Sequence, residues 1–219
     1  LHGGAYTVEV NSGHWWMVEQ MIKKTDFKLS FIQYPLAPEH DYNHVHTMLD
    51  EAYAKLTATN PDDQYYLLGD SAGGGLCLAF AQLLRDRNSP NKPEKIVLLS
   101  PWLDLSMSNP KIKEMEHQDL LLSAETLIKS GSWYADGTDL KSPVLSPLYG
   151  DIKDLNSIGI FVGTDEIFLS DCRKLKKKIE ASNTTLFYKE YGGMQHDWIV
   201  FPIKERDILL KDVLQYLQS

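Results

Sequence analysis

The chain has 219 residues, of which 43% are hydrophobic and 24% are charged, as is ordinary for one globular domain with a well-buried core. Its formal net charge of −8 argues against nucleic acid and against anionic membrane surfaces as partners, since both need a cationic face. No apolar run approaches the roughly 20 residues that span a bilayer, so we expect no membrane insertion. The two cysteines predict no disulfide framework, and free thiols point to a reducing, cytoplasmic location.

Apolar periodicity predicts strands and helices that alternate along most of the chain. The predicted strands are 28–34, 65–69, 95–100, 158–163 and 184–191. The predicted helices are 14–24, 43–57, 72–87, 124–134, 170–182 and 203–217. Buried strands that alternate with helices are typical of a mostly parallel sheet with helices on both faces. The sequence therefore predicts an α/β fold with a single domain over residues 1–219.

The segment 102–154 departs from this pattern. It is rich in loops and proline, contains one predicted helix, and is too long for an ordinary connection in a compact domain. We expect it to be an inserted cap or lid that folds over a site.

A candidate nucleophile lies in the run Gly69-Asp70-Ser71-Ala72-Gly73, between a predicted strand and a predicted helix. This is the G-x-S-x-G pattern of a nucleophile elbow, in which a sharp turn lifts the serine hydroxyl clear of the backbone. Alone, the pattern is also consistent with a glycine-rich turn. The hydroxyl needs a base, an acid that orients the base, and an oxyanion hole.

The carboxyl ends of the later strands supply such partners. In an open parallel sheet these ends meet at one edge, where active residues collect. Asp165 follows the 158–163 strand and His196 follows the 184–191 strand. The order Ser71, Asp165, His196 is that of α/β-hydrolases, so we predict these residues as nucleophile, acid and base. We expect Gly3, Gly4 and Ala72 to donate N–H groups to an oxyanion.

Six stretches, in chain order, make the sequence similar to a known family: His2-Gly3-Gly4-Ala5, Tyr34-Pro35-Leu36-Ala37-Pro38-Glu39-His40, Gly69-Asp70-Ser71-Ala72-Gly73-Gly74, Ser100-Pro101-Trp102, Asp165 with Asp171, and His196. The chain resembles the hormone-sensitive-lipase-like carboxylesterases and acetyl esterases of the α/β-hydrolase fold. The resemblance implies hydrolysis of small ester substrates through an acyl-enzyme, without metal or cofactor. A homodimer is an expectation from this family alone.

The sequence departs from the family pattern in three places. Ala5 replaces the third glycine of the usual His-Gly-Gly-Gly run, and Glu166 and Ile167 replace the usual residues after the acid. Strands and a cap element precede the His-Gly-Gly run in the family, so we expect this chain to lack an N-terminal part.

Several residues have more than one interpretation. Glu166 and Asp171 are rivals of Asp165 as the acid, and Asp197 adjoins His196 but should point away from its ring. A metal site at His40, His44 and His46 is disfavoured, because His44 and His46 face different sides of a helix. Core packing and pocket lining are equally plausible for four residues near strand ends: Trp102, Leu169, Met194 and Trp198.

Three functions remain open on the sequence. The leading hypothesis is a serine carboxylesterase for small or short-chain acyl esters. An amidase or peptidase would use the same triad, and a hydrolase fold that only binds ligands is the third alternative. Because the candidate serine, acid and histidine are all present, the binding protein is the least favoured of the three.

Overall fold

A computed structural model describes residues 1–219, and its centre is one parallel sheet. The strands are β1 (Tyr66–Asp70), β2 (Lys95–Leu99), β3 (Ser157–Gly163) and β4 (Thr185–Tyr191). They pair in the order β1-β2-β3-β4, and every pair is parallel. All the carboxyl ends therefore lie at one edge, as the predicted α/β fold requires.

Seven α-helices accompany the sheet: α1 (Ser12–Lys24), α2 (Tyr42–Thr59), α3 (Ser71–Asp86), α4 (Pro110–Met115), α5 (Ala124–Ala135), α6 (Leu169–Glu180) and α7 (Glu205–Gln218). Asn11 and Asp41 begin α1 and α2, because their side chains accept the free N–H groups of the first turns. Two 3₁₀ turns, Pro147–Tyr149 and Trp198–Val200, complete the elements. None of the helices is both long and apolar enough to cross a membrane.

The central strands bury both of their faces. Ile96 and Leu98 of β2 pack in one hydrophobic cluster with residues of α3 and α6, whereas Val97 and Leu99 pack in another with residues of α1 and α7. This alternation follows from the two-residue period of a strand, and it explains why the strand reads as a continuous apolar run. The predicted two-sided sheet is therefore confirmed.

Both cysteines lie in the core as free thiols. Burial raises the pKa of Cys77 to about 11 and raises the pKa of Cys172 well above its ordinary value. Neither thiol is suited to nucleophilic chemistry near neutral pH.

The predicted strand at 28–34 is wrong. This segment forms no strand ladder, and β1 is an edge of the sheet. A groove of about 610 Å³, lined mainly by apolar side chains, adjoins both β1 and the segment; Phe27, Leu29, Tyr66 and Leu68 are among its lining residues. An apolar, β-branched or aromatic pattern shows that a segment suits a strand, but not whether a partner lies within hydrogen-bonding distance.

Segment 102–154 contributes α4, α5 and the first 3₁₀ turn. Several of its apolar residues, including Leu105, Leu127 and Tyr134, belong to the cluster that also holds residues of α2 and α3. At residues 118–120 the segment contacts Gln195, which precedes His196 in the chain. Its role as a lid stays a prediction.

Candidate active site

Ser71 lies on a sharp turn between β1 and α3. Its φ of 50° is in the left-handed region that a residue with a side chain rarely adopts. The strand and helix approach so closely that a Cβ on Gly69 would lie 2.3 Å from the carbonyl oxygen of Gly73. Only glycine permits this approach, and the turn has the form of the predicted nucleophile elbow.

His196 meets Ser71 from the loop after β4. Its Nε2 lies 2.9 Å from the Ser71 Oγ, and both side chains are about 95% buried. Phe168 packs edge-on against the imidazole, with ring centroids 5.1 Å apart. The serine and histidine predicted from the sequence therefore lie within hydrogen-bonding distance.

The carboxylate that contacts His196 belongs to Glu166, so the prediction of Asp165 as the orienting acid is contradicted. Glu166 Oε2 lies 2.7 Å from His196 Nδ1. Asp165 instead accepts a hydrogen bond from Thr164 Oγ1 at 2.9 Å, and its backbone N–H binds the carbonyl of Met194. Consecutive residues on this turn point in different directions, so only one of the two carboxylates can face the ring.

Two further donors hold Glu166. Its Oε1 accepts a hydrogen bond from the Ser100 hydroxyl at 2.8 Å and one from the Gly163 N–H at 2.6 Å. The carboxylate is fully buried, so these bonds and His196 replace its lost hydration. Sequence reasoning missed this role of Ser100. Its position directly after β2, at the same edge of the sheet, is the signal that could have revealed it.

The other two acidic candidates have different partners. Asp171 is buried beside Asn109, whose Nδ2 donates to it at 2.7 Å, and burial raises the pKa of this carboxyl. Asp197 does not point away from the histidine as expected: its Oδ2 lies 3.5 Å from His196 Nε2. It approaches the nitrogen that faces Ser71, so it does not take the orienting position at Nδ1.

The N-terminal loop packs directly against the elbow. Gly3 N–H donates to Asp70 Oδ2 at 2.8 Å, so the prediction of Gly3 as an oxyanion donor is contradicted. Gly3 is required there for packing, since a Cβ would lie 2.9 Å from the Cβ of Ser71. The N–H of Gly4 binds no acceptor within the protein. Ala72 lies in the first turn of α3, where backbone N–H groups have no partner within the helix. Gly4 and Ala72 stay predicted donors.

Three of the four predicted pocket residues are core residues. Trp102, Leu169 and Trp198 are each at least 96% buried, and each belongs to a different hydrophobic cluster. An apolar residue after a strand can point into the core on either side of the sheet or can line a pocket. The sequence pattern does not distinguish these two positions. Met194 is half-buried and stays a candidate for pocket lining.

Three histidines outside the triad pack against or cap other parts of the fold. His44 contacts Asp41 at 2.9 Å near the start of α2, and His46 is buried. His2 stacks on Tyr34, with ring centroids 4.3 Å apart, and contacts the Gly3 carbonyl. No set of three His, Cys, Asp or Glu side chains in residues 1–219 converges on a common point where a metal would bind.

The chain matches known proteins along most of its length. Residues 1–200 match a family described as having the alpha/beta hydrolase fold. An esterase of Acinetobacter venetianus is 29% identical over 225 aligned residues, covering 100% of this chain and 73% of the relative. An acetyl-hydrolase of Streptomyces hygroscopicus is 30% identical, covering 90% of this chain and 66% of the relative.

A solved structure has the same architecture. The crystal structure of a hormone-sensitive lipase from a metagenome library superposes with a TM-score of 0.91 at 30% identity, over 98% of this chain and 73% of the other. The chain therefore belongs to the α/β-hydrolase fold family, and its resemblance to the hormone-sensitive-lipase-like carboxylesterases is confirmed.

Proposed function

We propose that the chain is a serine hydrolase that cleaves small carboxylic esters through an acyl-enzyme, with Ser71, His196 and Glu166 as its triad. The observation that carries the proposal is the continuous contact from Ser71 Oγ to His196 Nε2 and from His196 Nδ1 to Glu166. The names of the relatives, an esterase and an acetyl-hydrolase, support an ester with a small acyl group as substrate.

Each residue has a defined task in acylation. Ser71 Oγ attacks the carbonyl carbon of the ester while its proton passes to His196 Nε2. Glu166 accepts the Nδ1–H throughout, which fixes the tautomer and stabilises the imidazolium. The tetrahedral oxyanion receives N–H groups from Ala72 and Gly4. Its collapse breaks the bond to the alkoxy group, which leaves as the alcohol with the proton from His196.

Deacylation repeats these steps with water. His196 takes a proton from the water, whose oxygen attacks the acyl carbon of the Ser71 ester. Collapse of the second intermediate releases the carboxylic acid and returns the proton to Ser71 Oγ. Activity should fall at acid pH, because a protonated imidazole cannot accept the serine proton.

The test is hydrolysis of p-nitrophenyl acetate together with labelling by a fluorophosphonate. The wild-type protein should turn over the ester and take up one equivalent of label. Ser71→Ala should lose both, with kcat lowered by about 10⁴-fold or more. Ser132→Ala is the matched control, because this exposed hydroxyl only binds the Ile128 carbonyl.

Other outcomes identify the alternatives. Turnover that survives Ser71→Ala would contradict the proposal. A wild-type protein that neither turns over the ester nor takes up the label would indicate a binding protein. Faster cleavage of the matched anilide than of the ester would indicate an amidase.

A further inference from the structure

Residues 118–120 contact the loop that carries His196 through the side chain of Gln195. The Oε1 atom of Gln195 accepts the Leu120 N–H at 2.8 Å, and its Nε2 donates to the Gln118 carbonyl at 3.1 Å. Because an N–H can only donate and a carbonyl can only accept, the two bonds fix which end of the amide meets which residue. An amide bound at both ends limits the movement of the backbone that leads into His196.

The same three residues also hold the turn that carries the acid. Asp119, the middle residue, is 7% exposed, and its Oδ2 accepts the N–H of Ile167 at 3.0 Å. Ile167 directly follows Glu166 in the chain. Residues 118–120 therefore contact the neighbour of the base through their backbone and the neighbour of the acid through a side chain.

These contacts form a closed ring. The peptide bond from Gln195 leads to His196, whose Nδ1 lies 2.7 Å from Glu166. The peptide bond from Glu166 leads to Ile167, whose N–H binds Asp119. Asp119 lies between the two partners of the Gln195 amide. The contact between base and acid is thus one link of the ring, and the other links limit how far the two side chains can separate.

The loop after β4 depends on support of this kind. β4 is an edge strand, so only β3 lies beside it in the sheet. Gly193 in the loop is exposed, has a φ of 74°, and a Cβ there would meet no neighbouring atom within 4 Å. Hydrogen bonds to Thr164 and Asp165 hold the loop on the side of β3. Gln195 adds a connection to segment 102–154.

We propose that Gln195 is a positioning residue, whose amide fastens the loop that carries His196 to residues 118–120. Because Asp119 holds the Glu166 turn at the same place, segment 102–154 keeps the base and the acid together. Residues 118–120 then stay in contact with the loop during turnover, whereas the sequence predicted a lid. This role in catalysis rests on the proposed function.

Gln195→Met tests the two hydrogen bonds, because methionine keeps the length of the side chain and removes both bonds. The side chain is partly exposed, so the substitution should leave the fold intact. We expect kcat for p-nitrophenyl acetate to fall by about tenfold, since a small displacement of a catalytic group lowers the rate steeply. KM should stay within about twofold of the wild-type value, because the Gln195 amide orients the base and does not bind the ester.

Gln64→Met is the matched control. The Gln64 amide also has a hydrogen bond, from the Tyr66 hydroxyl at 3.2 Å, but it lies at the amino end of β1, the opposite edge of the sheet from Ser71. Its kcat and KM should equal those of the wild type. A Gln195→Met protein that also keeps the wild-type kcat would contradict the role in catalysis.

A double variant tests the ring. Asp119→Asn disturbs the bond to the Ile167 N–H. If both connections act on the one contact between His196 and Glu166, opening the ring once removes most of its effect. The double variant Gln195→Met/Asp119→Asn should then lose about as much kcat as the more impaired single variant. Losses that multiply would show that the two connections act separately, and would contradict the ring.

Proton NMR provides a readout that does not need turnover. The Nδ1 proton of His196 lies in a charge-assisted bond to Glu166 and should give a resolved resonance far downfield. In Gln195→Met this proton should exchange faster with water, and so should the Leu120 amide proton, which loses its acceptor. Both exchange rates should be unchanged in Gln64→Met.

The two readouts separate this role from the proposed function. Wild-type exchange rates in Gln195→Met would overturn the proposal even if the protein hydrolyses esters. If the wild type hydrolyses no ester, the proposed function fails, and the exchange rates still decide whether Gln195 holds the loop that carries His196.

Discussion

The Nδ1 atom of His196 lies 2.7 Å from Oε2 of Glu166, and neither side chain is more than 6% exposed. A carboxylate and an imidazole this far from solvent depend on each other, because neither group would regain its lost hydrogen bonds to water if the other moved away. The pair can therefore fix the orientation of the imidazole toward Ser71.

Ser100 positions Glu166 from the opposite side. Ser100→Ala removes the hydroxyl that donates to Oε1 at 2.8 Å and leaves only Gly163 N–H on that oxygen. Hydrogen bonds to charged groups contribute about 1.5–3 kcal/mol. We expect kcat/KM for p-nitrophenyl acetate to fall by about tenfold, which corresponds to about 1.4 kcal/mol. Ser132→Ala, measured in parallel, should leave kcat/KM unchanged. If Ser100→Ala and Ser132→Ala have the same kcat/KM, the Ser100 hydroxyl does not support Glu166 in catalysis.

Asp119 connects segment 102–154 to the turn that carries Glu166. Its Oδ1 accepts the N–H groups of Leu121 and Leu122, and its Oδ2 accepts that of Ile167 at 3.0 Å. Asp119→Ala leaves these donors without their acceptor, and we expect the free energy of unfolding to fall by about 2–4 kcal/mol.

The conservative variant separates the two oxygens of Asp119. Asp119→Asn keeps an acceptor for Leu121 and Leu122 but presents an amide group to the Ile167 N–H. Urea unfolding should give it a stability between those of the wild type and Asp119→Ala. A loss below about 0.5 kcal/mol for Asp119→Ala would show that the contact is not stabilising.

The sequence predicted what depends on strand ends and missed what depends on side-chain direction. Ser71 and His196 were found because tight turns after parallel strands collect at one edge of the sheet. The choice between Asp165 and Glu166 depends on the path of one turn, and nothing in the sequence specifies that path. Apolar runs likewise predicted the core strands correctly. The same kind of run predicted a strand at residues 28–34, where no neighbouring strand pairs with the segment.

The backbone of Ala5 is strained, and this residue lies next to Gly4 in the predicted oxyanion loop. Its φ of 51° is in the left-handed region, directly after Gly4 at 108°. That conformation costs a residue with a Cβ about 1–2 kcal/mol. Glycine there costs about 0.5–1 kcal/mol of chain entropy. Ala5→Gly should therefore raise the free energy of unfolding by about 0.5 kcal/mol.

A helical alanine provides the opposite case. Ala54 is an exposed residue inside α2, and Ala54→Gly should lower the free energy of unfolding by about 1 kcal/mol. Thermal or urea unfolding of the two variants checks both signs. A destabilised Ala5→Gly would show that the left-handed turn is not strained.

The assignment of Glu166 as the acid is tested by a pair of neighbouring variants. Glu166→Gln and Asp165→Asn each remove one charge, and circular dichroism verifies that both fold. Because an amide cannot fix the tautomer of His196 or stabilise its imidazolium, kcat for p-nitrophenyl acetate should fall by about 10³–10⁴-fold in Glu166→Gln. It should change by less than about threefold in Asp165→Asn, which does not touch the ring. The reverse order, with the large loss in Asp165→Asn, would contradict the assignment.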